Sequence, residues 1–183
     1  MYYLRRIVPE KWDNKVSLDA VSVSDLSTGD NDISVWQIND MNELEEAGLT
    51  IAMTKNILKD VNVVIMEDKR LIELGLKILD QPGKSHYAEK NDSHKNISVP
   101  TFWEIGYLTE YIHNQLQDEK NFHYFAEDEL KETLYKVAKD GSMNYQFMAD
   151  KDSSRLRGTL IAICCEKKDS ELRMELEKMA LKK

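Results

Sequence analysis

The stretch Val61-Asn62-Val63-Val64-Ile65-Met66 is the most hydrophobic strand candidate in the chain. Its β-branched residues favour a pleated conformation. Its lack of apolar–polar alternation predicts burial on both faces, as in a central strand. The sequence around it supplies what such a strand needs. Tyr2 to Val8 is rich in β-formers and reads as a strand, and Ile33-Ser34-Val35-Trp36-Gln37-Ile38 alternates as a second one. Asp40 followed by Glu43 starts a helix in the manner of a capping box. Leu44, Ala47, Gly48, Ile51 and Ala52 continue it at helical spacing to about Lys55. Ser17 to Leu26 reads as a short helix with Leu18, Val21 and Leu26 inward. Residues 27–32 read as a turn built from Gly, Asn and Asp. Glu67 to Gly75 predicts a short helix, and Leu76 to Leu79 a last strand.

Downstream the character changes. Residues 81–99, QPGKSHYAEKNDSHKNISV, are polar and longer than most loops, which marks a linker or functional loop. From Pro100 on, four helical patterns follow. Ile105, Leu108, Ile112 and Leu116 form the first stripe. The second runs from Glu127 to Asp140, stopped by Gly141. A third carries Leu156, Leu160, Ile163 and Cys164, although its TLIAIC core is short enough to be a buried strand instead. The fourth carries Leu172, Leu176 and Met179. The expected fold class is α+β: a small mixed sheet with helices over residues 1–80, the linker at 81–99, and a helical part over 100–183. Helices segregated from strands argue against a doubly wound sheet.

The charge is local. The 183 residues hold 33 acids and 25 bases, a net charge of −8. Nine of the acids fall between Asp13 and Glu46, against the single base Lys15, so this window alone carries −8 and the remainder is neutral. Net acidity makes nucleic acid an unexpected partner, because duplex binding needs a basic footprint. A concentrated acidic segment would instead steer a partner protein with a basic surface. Asp25, Asp30, Asp32, Glu43, Glu45 and Glu46 are the candidate docking acids. On the last helix, Leu172, Leu176 and Met179 are candidate apolar docking residues. A nucleic-acid mimic would use the same acids as a decoy.

Catalytic signatures are sparse. No glycine-rich phosphate loop, GxSxG or HExxH occurs. Asp30, Asp32, Glu67 and Asp68 are the carboxylates that would serve a metal-dependent hydrolase or nuclease through hard oxygen ligands. The histidines are His86 and His94 in the polar stretch, read as solvated, His113 at the edge of a helix stripe, and His123 in an aromatic-rich connection between helices. Cys164 and Cys165 are adjacent. They are not spaced for a zinc site, and the first reads as a core residue. No cofactor or metal is expected on the first reading. The N-terminus lacks a signal-peptide core and no window is long enough to span a bilayer, so a cytoplasmic protein is expected.

Tyr3-Leu4-Arg5-Arg6-Ile7, Trp12, Asp19-Ala20, Leu26-Ser27-Thr28 and Ile33-Ser34-Val35-Trp36 together resemble a loose group of uncharacterised small bacterial proteins, over the first third of the chain. The resemblance implies a small accessory protein beside larger machinery, as in antiviral defence or toxin–antitoxin cassettes, and transfers no catalytic residue. The expected function is a non-catalytic protein-interaction subunit, compatible with a homo-oligomer. The alternative is the carboxylate-based hydrolase or nuclease.

Overall fold

A computed structural model describes residues 1–12, 20–26 and 31–181. Six strands form one sheet: β1 (Tyr2–Ile7), β2 (Asp32–Ile38), β3 (Val61–Glu67), β4 (Lys77–Asp80), β5 (His94–Ser98) and β6 (Phe122–Phe125), in the order β4-β5-β2-β1-β3-β6. Every pairing is antiparallel. The helices are α1 (Ala20–Asp25), α2 (Leu44–Ala52), α3 (Asp68–Glu73), α4 (Phe102–Gln115), α5 (Glu127–Lys139), α6 (Ser154–Glu166) and α7 (Ser170–Leu181). The fold is α+β with a helical C-terminal half.

The sheet is covered on both faces, which explains why β3 is apolar at nearly every position, Asn62 apart. Leu4, Trp36, Val61, Val63 and Phe125 point to one side, where α2, α5, α6 and α7 pack. Tyr3, Ile33, Val35, Val64 and Met66 point to the other, against Leu71 of α3 and Leu108, Tyr111 and Ile112 of α4. Successive side chains of a strand alternate between faces, so a strand feeding two cores must be apolar at nearly every position.

The structure departs from the sequence expectation in several places. The sheet of residues 1–80 is antiparallel rather than mixed, and it is completed from outside that range. The stretch 81–99 is built into the fold: His94–Ser98 pair between β2 and β4. Tyr87 is fully buried there, and Ser85 donates its hydroxyl to the Thr50 carbonyl at 3.0 Å. Phe122–Phe125 are a strand, not a connection between helices, and bring His123 to the sheet edge beside Phe125. Val21 is exposed and Ser22 is the buried residue of α1; Leu18 lies outside the described residues. TLIAIC is helical within α6. The expected turn at 27–32 has only its end described, where Asn31 takes the positive φ of 58° that Asn tolerates.

Helix ends follow local chemistry. Asp40 accepts the Asn42 amide at 2.7 Å, and Glu43 reaches back to the Asn39 amide at 3.0 Å. Gly141, at φ 79°, ends α5. The entry to α7 is tied to the end of α5 through Asp169, whose Oδ2 accepts from Lys139 Nζ at 2.8 Å and from the Tyr135 hydroxyl at 2.9 Å. These bonds, Lys139 first, hold the Asp169 pKa down to about 2. A depressed carboxylate pKa stabilises the folded state above its unfolded value of about 3.9, and that contribution is lost as pH falls toward 2. Asp169→Asn is therefore expected to melt below wild type at pH 7. The two melting curves, followed by circular dichroism, should converge between about pH 4 and pH 2. A gap that persists undiminished at pH 2 contradicts this role.

Candidate interaction surface

Of the carboxylates expected to hold a metal, the described ones do not all come together: Asp32 is apart from Glu67 and Asp68. Asp32 opens β2, opposite Ser98. Tyr2 pairs with both Ile38 and Glu67, so Glu67 and Asp68 lie level with the other end of β2. The length of that strand, about 20 Å, separates the two groups. The Glu67 amide donates to the Tyr111 hydroxyl at 3.0 Å, and Asp68 sits near Tyr3. Burial, and then Asp68, push the Tyr3 pKa up to about 12. Asp30 lies outside the described residues. Among the described residues no three of His, Cys, Asp and Glu are grouped to hold a metal ion.

The described acids of the N-terminal segment do not form one docking face either. Asp13 and Asp19, like Asp30, lie outside the described residues. Asp25 is turned inward: its Oδ2 accepts the Val8 amide at 3.0 Å and the Trp12 indole N–H at 2.8 Å, and its side chain is only 8% exposed. Glu43 and Asp40 are spent on the helix start. Glu46 pairs with Lys90 at 2.6 Å and accepts the Tyr87 hydroxyl at 3.4 Å, while Glu45 lies 3.7 Å from Lys136. Asp32 is at the opposite end of β2 from Asp40 through Glu46. Among the described residues, acids clustered along the chain are therefore dispersed in space, and Asp25, Glu45 and Glu46 are paired within it.

The apolar face of the last helix is also internal. Leu172, Leu176 and Met179 are buried against α6 and the turn at Tyr145–Ala149. Their stripe packs on the same chain and is not open to a partner. The histidines are likewise engaged. His86 stacks on Phe147, and His94 meets Trp36 edge-on, with its Nδ1 2.6 Å from the Gln81 carbonyl oxygen. Cys164 is buried, which pushes its thiol pKa up to about 11, and Cys165 is exposed.

The surface that stands out begins at Thr101. Thr101 accepts the Trp103 amide at 3.2 Å, and its hydroxyl bonds the Glu104 carboxylate. This is a capping box, with Thr at the N-cap and Glu three residues on. Bonding to Thr101 lowers the Glu104 pKa. The box fixes Phe102 and Trp103 in the first turn of α4, while the stripe Leu108, Tyr111 and Ile112 sits on the sheet. Phe102 is 93% exposed, Trp103 74% and Tyr107 46%. Gly106 adds no side chain between them and has open space where a Cβ would stand. Along α4 the acids are Glu104 and Glu110, with no Lys or Arg. Three large aromatic residues thus lie exposed to water over the first two turns of one helix, more than a singly scattered apolar side chain. Sequence reading centred on the stripe beginning at Ile105 passes over the first two. The available signal was two aromatics, off the stripe, immediately after an N-cap Thr.

Comparison of the chain with protein-family models, with curated proteins and with solved structures finds no match in any of the three.

Proposed function

We propose that the protein is a non-catalytic interaction subunit of a cytoplasmic complex, docking through the first two turns of α4. The observation that carries this reading is the exposure of Phe102, Trp103 and Tyr107 on a helix start held in place by the Thr101–Glu104 box. Phe102 and Trp103 act as anchors for an apolar groove, since Trp and Tyr dominate the energetics of binding surfaces. Glu104 and Glu110 flank them and favour a partner whose groove has a basic rim. The docking site is thus moved from the acidic segment and α7 to α4. The free cysteines fit a reducing compartment. Among the described residues no helix is long and apolar enough to cross a membrane.

The test compares the tagged wild-type protein with Phe102→Ala/Trp103→Ala, each purified from the cells that express it. The wild type should retain a partner at near-stoichiometric yield, and the double variant should lose it by about thirtyfold or more, as for removal of a binding anchor. Equal recovery of the same proteins with both baits refutes the docking site. A lone monomer from the wild type at every salt concentration refutes the subunit reading itself.

A further inference from the structure

A second feature lies on the other side of the sheet from α4, where β1 ends. Two neighbouring cavities share Arg6. One, of about 330 Å³, is lined by Arg6, Lys55, Lys59 and Arg155, together with Asp60. The other, of about 300 Å³, is lined by Arg5, Arg6, Lys84 and His94 over a floor that includes Trp36 and Ile51.

The folding of β1 creates this arrangement. Its pairing with β2 runs only from Tyr2 to Leu4. Beyond Leu4 the strands are no longer paired, and Arg5 fills the separation by donating from Nη1 to the Ser34 carbonyl at 3.1 Å. Its Nε is buried with no hydrogen-bond partner. Arg6 points to the opposite face, with its strand neighbour Val63, and lies between the two cavities.

Some cations of the chain are paired and others are not. Lys90, Lys95, Lys139 and Lys167 each pair with a carboxylate of the chain. Among the described residues, Arg6, Lys55, Lys59, Lys84 and Arg155 form no ion pair; Lys77, Lys120, Lys151, Lys168 and Lys178 also lack one, but neither cavity gathers them. Among the described residues the one acid lining the cleft, Asp60, is committed to the start of α5, accepting the Glu127 amide at 2.8 Å and bonding Tyr124. Several like charges set around a concave surface, in a chain with excess acid to pair them, form a focused positive field. Guanidinium forks and ammonium groups together are the usual donors to phosphate oxygens.

We infer that this cleft binds a small molecule carrying more than one phosphoryl group, with Arg6 bridging anionic groups seated in the two cavities. The lobes have the size of small-ligand pockets. A nucleic-acid strand fits less well. At the Asp60 end the cleft meets Glu127, Asp128 and Glu129 in the first turn of α5, which would repel a phosphodiester backbone continuing past it. Trp36 is buried, so it offers no stacking face to a base.

Isothermal titration of the full chain with pyrophosphate and with ATP tests this, alongside sulfate at matched ionic strength and a single-stranded oligothymidylate. At least one of pyrophosphate and ATP should bind saturably with one-to-one stoichiometry. Arg6→Ala should weaken that binding by about tenfold or more, the loss of a charge-assisted contact. Lys55→Ala/Lys59→Ala, at exposed positions that leave the core untouched, should weaken it too, whereas Lys69→Ala on α3 should not. The inference fails if neither phosphate probe saturates, if sulfate binds as well as they do, if the oligothymidylate binds more tightly, or if the cleft variants bind like wild type. None of these outcomes involves α4, so the docking surface stands or falls separately.

Discussion

Phe125→Ala is expected to destabilise the protein by about 3–5 kcal/mol, the range for truncating a buried phenylalanine. Phe125 ends β6 opposite Val61, is 1% exposed, and leads directly into α5. Its ring lies against Gly48 of α2: a Cβ built at Gly48 would fall 2.5 Å from Cζ and 2.6 and 2.7 Å from the neighbouring ring atoms. The glycine is there because the ring occupies the space of a side chain. Gly48→Ala should gain about 1 kcal/mol of helix propensity. It should nevertheless be net destabilising by about 1–3 kcal/mol, because a fully buried ring has nowhere to retreat. The two changes should not add. With Ala at 125 the new methyl at 48 enters vacated volume, so the double variant should be more stable than the sum of the single losses by about 1 kcal/mol or more. Guanidinium unfolding of the four proteins gives the cycle, and strict additivity would show that the contact does not limit α2.

Asp25→Ala is the second large effect, with an expected loss of about 3 kcal/mol. Its carboxylate holds the Val8 amide and the Trp12 indole, and Lys11 lies 3.7 Å away. Its own carbonyl accepts from Arg5 Nη2 at 3.2 Å. Burial lowers the Arg5 pKa, and the negative charge of Asp25 acts against that shift. Removing the carboxylate strands the part-buried Trp12 indole N–H, frees the more exposed Val8 amide and takes an opposing charge from a buried guanidinium. Asp25→Asn keeps an acceptor and should cost less than Ala. A change in unfolding midpoint equivalent to under about 0.5 kcal/mol for Ala, the level of an ordinary surface substitution, would show that the network is dispensable. Such a result would also return Asp25 to the pool of acids available to a partner.

These two sites show how unevenly the fold is written in the sequence. β3 is legible because seven residues feeding two cores must be apolar almost throughout. The start of α2 is legible because Asp40 and Glu43 act within one turn, and the stop of α5 because Gly141 takes a positive φ. β5 is not legible: His94-Lys95-Asn96-Ile97-Ser98 carries one large apolar residue, and it is a strand because β2 and β4 offer it ladders on both sides. Strand propensity of this kind belongs to the neighbours more than to the residues. β6 fails differently: Phe122, Tyr124 and Phe125 are strand formers, but four residues are too few to show a period, and the partner β3 lies about sixty residues away. Of the candidate docking residues, Leu172, Leu176 and Met179 show why periodicity is insufficient. An apolar stripe reports that a helix is covered on that side and carries no information about which chain covers it.

By itself the sequence determined what depends on neighbours a few residues away: helix periods and caps, the glycine stop, the double-sided burial of Val61 to Met66, and an α+β composition. Tertiary structure alone decided what depends on distant residues meeting. It brought residues 94–98 and 122–125 into the sheet, split the acids between the two ends of β2, and turned Asp25 and the last helix inward. It also left Phe102 and Trp103 in water, and gathered Arg6, Lys55, Lys59, Lys84 and Arg155 around one cleft. The physical reason is that helices and caps are made by contacts short in sequence, whereas strand pairing, burial and the field of a surface are sums over residues the chain brings together only when it closes.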